Sequence, residues 1–112
     1  MKKKYYHITN CENAVSILTN GIKCNEDFEI FLFDDVGYKF LGYTSTVANH
    51  IAKNQIFLDK YAMFEIDAKG ITGHIENDNV AEITAKWQYI LKQDIIKPEY
   101  INFYGCYETI FS

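Results

Sequence analysis

The sequence has no arginine: its eleven basic residues are all lysine, set against 15 Asp and Glu for a net charge of −4. Proteins that read duplex nucleic acid use a basic face and arginine forks for phosphate and guanine, so double-stranded DNA or RNA is disfavoured as the main partner. Only Lys2-Lys3-Lys4 is locally basic, and a lysine run at a terminus reads as a solvated end. Proline occurs once and glycine six times, which excludes a linker-rich or disordered chain. No apolar run reaches the roughly 20 residues of a membrane helix, and Tyr5-Tyr6-His7 is too polar for a signal-peptide core. Cys11, Cys24 and Cys106 form no CxxC pair and sit at none of the close spacings of zinc ligands, so no metal is expected. An odd thiol count in a small acidic domain points to a reducing compartment; the expected location is cytoplasmic, with no membrane partner. Neither GxGxxG nor GxxxxGK[ST] occurs, so any phosphate must be held without those glycine cradles.

What is present is apolar area. Of 112 residues, 48% are hydrophobic, and 9 Tyr, 8 Phe and 1 Trp supply bulk to a core of modest size. The length fits one domain, 1–112. Lys4 to Thr9 reads as a strand. Asn10 reads as the cap of a short helix with Ala14, Ile17 and Leu18 on one face, stopped by Gly21. Glu29 to Phe33 is a second strand. A loop between Gly37 and Gly42 follows, and the hydroxyls of Thr44-Ser45-Thr46 can cap a second helix. That helix runs to about Gln55 with Val47, Ala48, Ile51 and Ala52 on its apolar face. Strands are expected over Tyr61–Ile66, Ala81–Leu91 and Ile101–Phe111, with turns at Asp67–Gly70 and Asn77–Asn79 and one helical turn opened by Pro98. Helices in the first half and strands in the second give an α+β class.

The side chains able to do chemistry fall at the ends of these elements. His7 and Thr9 alternate along the first strand and so share a face. His50 lies on the second helix, away from the Val47/Ile51 stripe. Gln88 follows Trp87 on a late strand, with Glu82 upstream. A histidine beside a hydroxyl can donate to and accept from sugar hydroxyls or a pyrophosphate, and aromatic rings can clamp a flat heterocycle.

Tyr6-His7-Ile8-Thr9, then Asn13-Ala14-Val15-Ser16-Ile17-Leu18 and Gly21-Ile22, resembles the opening strand and helix of the ADP-ribosyltransferase fold. Ile30-Phe31-Leu32 with Ser45-Thr46-Val47-Ala48-Asn49-His50 is similar to the poly(ADP-ribose) polymerase pattern Ile-Tyr-Phe … Ser-x-Ser-Ala-Asn-Tyr. Trp87-Gln88-Tyr89-Ile90-Leu91 resembles that family's Asn-Glu-Tyr-Ile-Val, and Asp94 to Ile101 resembles the strand exit of its small members. The resemblance implies a small split β-sheet with two short helices in the N-terminal half, and NAD as co-substrate. It implies that His7 holds the nicotinamide-side ribose and Thr9 steadies the adenosine half. Phe31 stands at the triad tyrosine, His50 at the second ring stacked on nicotinamide, and Gln88 at the catalytic glutamate. The activity implied is mono-ADP-ribosyl transfer to an unidentified acceptor, protein in preference to nucleic acid.

Three departures qualify that pattern. Phe31 keeps the ring but lacks the hydroxyl, and Val47 replaces the serine that bonds the nicotinamide amide. Gln88 can hydrogen-bond a ribose hydroxyl yet carries no charge to oppose the positive charge that develops as nicotinamide leaves. Glu82, six residues upstream, is the candidate substitute carboxylate. The missing arginine disfavours the arginine-dependent toxins and the RNA 2′-phosphotransferases that resemble the same fold. Two other readings stay open. One is a catalytically silent module of this fold that binds a ligand or a protein. The other is a small α+β domain whose aromatic loop, Tyr38 to Tyr43, is an interface patch.

Overall fold

In a computed structural model, residues 4–34, 46–78 and 86–111 are described. The first strand, β1 (Tyr5–Thr9), ends at Asn10, whose side-chain oxygen accepts the Glu12 N–H at 3.1 Å. One 3₁₀ turn, Cys11–Asn13, then feeds α1 (Ala14–Asn20). Gly21 stops the helix at φ +89°, donating its N–H to the Ile17 carbonyl at 2.8 Å. A Cβ there would collide with the Ile96 carbonyl oxygen, so the glycine serves both the left-handed stop and the close approach of the strand beyond it. Ala14 and Ile17 are buried as expected, but Leu18 is 42% exposed. A helix of two turns presents only a narrow stripe, and Leu18 falls off its edge.

The remaining elements are β2 (Ile22–Lys23), β3 (Glu29–Phe33), α2 (Thr46–Asn54), β4 (Lys60–Ile66), β5 (His74–Asn77), β6 (Gln88–Lys92), β7 (Ile95–Ile96) and β8 (Ile101–Glu108). Single 3₁₀ turns occur at Ala68–Gly70 and at Pro98–Tyr100, where proline opens the turn. The fold is α+β: an antiparallel sheet of six strands in the order β5-β6-β3-β1-β4-β8, a separate β2-β7 ribbon and two short helices. Three corrections follow. The late strand β6 runs from Gln88 after a turn at Lys86-Trp87, so the strand expected over Ala81–Leu91 is interrupted there, and 81–85 lie outside the described residues. Asn77 ends a strand instead of opening a turn, its side-chain amide donating to the Gln88 carbonyl at 2.9 Å. The strands β2, β5 and β7, of two to four residues, are too short for alternation to announce them.

One helix covers each face of the large sheet. Ala14 and Ile17 of α1 pack with Ile30, Leu32, Ala62, Phe64 and Leu91. On the other face Val47, Ala48, Ile51 and Ala52 of α2 pack with Tyr6, Ile8, Phe33 and Met63. Alternation along β1, β3 and β4 sends successive side chains to opposite layers, as the period of a strand requires. The sheet is not uniformly joined. β1 pairs with β4 at five positions, from Tyr5 opposite Ile66 to Thr9 opposite Ala62, but with β3 only where Tyr6 faces Phe33. There the two rings stack, 5.7 Å between centroids. Beyond that rivet β1 and β3 part.

Candidate functional site

Parting two strands leaves main-chain groups without their ladder partners. At this gap the Phe31 carbonyl is taken up by a side chain, the imidazole Nδ1 of His7, at 2.8 Å. A carbonyl only accepts, so Nδ1 carries the proton and Nε2 is left as an acceptor in the neutral ring. Burial holds the His7 pKa below its ordinary value, against the smaller opposing pull of the Phe31 carbonyl. The ring is therefore neutral at pH 7.

That depression has a consequence for stability. Between the lowered folded value and the unfolded value near 6.5 the unfolded chain binds more protons, so stability falls as pH drops through this window. The stability lost between pH 7.5 and pH 5.5 in urea titrations should be larger for the wild type than for His7→Gln. Equal losses in the two proteins would contradict a half-buried His7 held neutral by desolvation.

The gap opens into a cavity of about 520 Å³ whose wall includes His7, Thr9, Phe31 and Gln88. Residues from both faces of the sheet, Leu32 from one and Phe33 and Ile51 from the other, also line it; a closed sheet would keep them apart. A second cavity of about 270 Å³ lies against α1, lined by Asn13, Ser16, Asn20 and Lys23. His7 and Thr9 belong to both walls, so the two hollows meet at β1. Asn13 donates its side-chain amide to the Thr9 hydroxyl oxygen at 2.9 Å, which leaves that hydroxyl able to donate.

Gln88 is placed by strand register. It opens β6 opposite Phe33 of β3 and is 5% exposed. Its amide forms a reciprocal pair with Gln55 just past α2: Gln55 Nε2 donates to Gln88 Oε1 at 3.2 Å, and Gln88 Nε2 donates to Gln55 Oε1 at 3.1 Å. One residue after β5, Asp78 is buried at 8% exposure. Its main-chain N–H bonds the Gln88 carbonyl at 2.8 Å, and it is the one carboxylate among the described residues lining the large cavity.

Four of the residues singled out from sequence thus share one cavity: His7, Thr9, Phe31 and Gln88. His50 does not line it. Its Nδ1 accepts from Asn54 at 3.2 Å, one turn along the helix. With Val47 and Ile51 buried against the sheet, helical geometry turns position 50 away from the layer they face. Val47, standing at the family's serine, is 3% exposed and belongs to the core under α2. Glu82 and the aromatic loop from Tyr38 to Tyr43 lie outside the described residues.

Sequence reasoning missed Gln55 and Asp78. Gln55 was within reach, since it follows Ile51 by four positions and shares its side of the helix. Asp78 was not, because its place depends on β5 pairing with β6, and β5 gave no periodic signal. Among the described residues no three His, Cys, Asp or Glu side chains gather as a metal site requires, and no helix is long and apolar enough to cross a membrane. Comparison with models of known families finds no match, and comparison with curated proteins finds none either.

Proposed function

We propose that the chain binds NAD in the joined hollows at the parting of β1 and β3 and acts as a mono-ADP-ribosyltransferase. The observation that supports this most is the convergence of His7, Thr9, Phe31 and Gln88, drawn from three strands, on one cavity that shares His7 and Thr9 with a second. A dinucleotide has two flat ends joined by a diphosphate, and two hollows meeting at polar side chains suit that shape. His7 Nε2 accepts from a ribose hydroxyl, and Thr9 donates. The Phe31 ring, 44% exposed, offers a face to nicotinamide without a second ring from His50. Gln88 orients the ribose next to the bond that breaks. In the smaller cavity Lys23 is the cation available to the diphosphate in a chain without arginine.

In the reaction the bond between nicotinamide and the ribose anomeric carbon breaks, and its electron pair goes to the pyridine nitrogen. The acceptor nucleophile bonds that carbon and releases its proton. The lack of arginine and the net charge of −4 favour a protein acceptor, and the odd cysteine count supports a cytoplasmic setting. Incubation of the protein and a lysate with labelled NAD, following free nicotinamide and label on macromolecules, tests the reading. Nicotinamide release above the uncatalysed rate is expected. The tight Gln55–Gln88 pair favours a second reading, a binding module without chemistry, which predicts NAD binding with no release.

A further inference from the structure

We infer that Asp78 is the catalytic carboxylate of this cavity, opposing the positive charge that develops on the ribose as nicotinamide departs. The inference rests on the NAD reading and adds the group that the reading lacks. Cleavage of a glycosidic bond passes through an oxocarbenium-like state, and enzymes that cleave one place a carboxylate beside it. Gln88, in the position where charge is needed, is neutral and has its amide engaged by Gln55. Asp78 sits beside it across the β5–β6 edge, tied to the Gln88 carbonyl through its own N–H at 2.8 Å.

Its surroundings give the charge weight. At 8% exposure Asp78 is removed from bulk water in a wall built largely of apolar side chains, where Coulombic interactions are stronger than in solvent. The pyridinium ring of NAD is cationic before the bond breaks, and the ribose becomes so as it breaks. The ligand class is therefore an N-glycoside of a cationic heterocycle. Asp78 forms no bond; the electrons of the C–N bond leave with nicotinamide, and water or another nucleophile bonds the anomeric carbon and releases its proton.

The substitution Asp78→Asn keeps the shape and removes the charge. It should slow nicotinamide release by about 10²–10³, the usual cost of losing one electrostatic contact to a transition state. Affinity for ADP-ribose, which lacks the cationic ring, should not change in calorimetry. Asp78→Glu, with the charge retained, should recover part of the rate, whereas equal loss in Asn and Glu variants would mark a structural role and overturn the proposal. Release at the wild-type rate by Asp78→Asn would overturn it while leaving the NAD reading intact. Wild-type protein that binds NAD but releases no nicotinamide would also overturn it. Failure of the wild type to bind either NAD or ADP-ribose would remove the reading itself, and the proposal with it.

Discussion

Replacing Gln93 by leucine should lower the stability of the domain by about 3 kcal/mol and its melting temperature by roughly 10 °C or more. Gln93 is 8% exposed and uses both ends of its amide. Oε1 accepts from the Thr72 N–H at 2.8 Å, the Gly73 N–H at 2.9 Å and the Thr72 hydroxyl at 3.3 Å. Nε2 donates to the Gly70 carbonyl at 2.8 Å and the Ile95 carbonyl at 2.6 Å. One side chain therefore stands in for the ladder bonds of the irregular segment that leads into β5. Leucine fills similar space but strands four main-chain groups, and each buried orphan costs about 1–3 kcal/mol, less where water reaches it. Gln93→Glu should also destabilise, because it loses both donors and sets a charge against two carbonyl oxygens. Urea titration with a change below about 1 kcal/mol for Gln93→Leu would contradict this account. Because this segment precedes β5, the same substitution should loosen the strand that delivers Asp78.

The second large effect is expected at His7. Removing its ring in His7→Ala deletes the partner of the Phe31 carbonyl and the wall common to both hollows. Stability should change little, since the freed carbonyl faces a cavity that water can enter. NAD affinity should fall tenfold to a hundredfold, on the order of one or two lost hydrogen bonds at 1.4 kcal/mol per decade. Calorimetry with matched unfolding curves separates the two quantities. A variant that binds NAD as the wild type does, or that loses binding only because it unfolds, would remove His7 from the proposed site.

How much of this was legible in the chain depended on the length of each signal. The strand at Glu29–Phe33 matches its expected bounds, and the four apolar residues of α2 are all buried, because each pattern repeats often enough to specify one face. Gly21 announced the end of the first helix. Asn10, expected as that helix's cap, instead caps the 3₁₀ turn Cys11–Asn13 that leads into it, and Asn13, at the N-cap of α1 itself, makes no side-chain capping bond. The short strands were silent for the opposite reason. A strand of two residues carries no period, and β2 and β7 exist only because they pair with each other.

The candidate site divides along the same line. His7 and Thr9 were visible as alternating polar residues on a strand, but nothing local says that β1 and β3 part after Tyr6 and Phe33. That opening comes from the stacked rings at the one paired position and from an imidazole replacing the next ladder bond. Gln55 and Asp78 reach the cavity through neighbours distant in sequence, Gln88 in both cases. His50 shows the reverse limit: a residue matched by string position is carried elsewhere by the pitch of its helix.

The central claim is that one ligand spans both hollows across β1. Titration of the wild-type protein with NAD, followed by amide chemical shifts, tests it most directly. Saturable perturbation of Thr9 together with Gln88 and Asp78 in the large cavity and Ser16 and Lys23 in the small one is the predicted result. No perturbation at millimolar NAD, or shifts confined to residues away from β1, would contradict it.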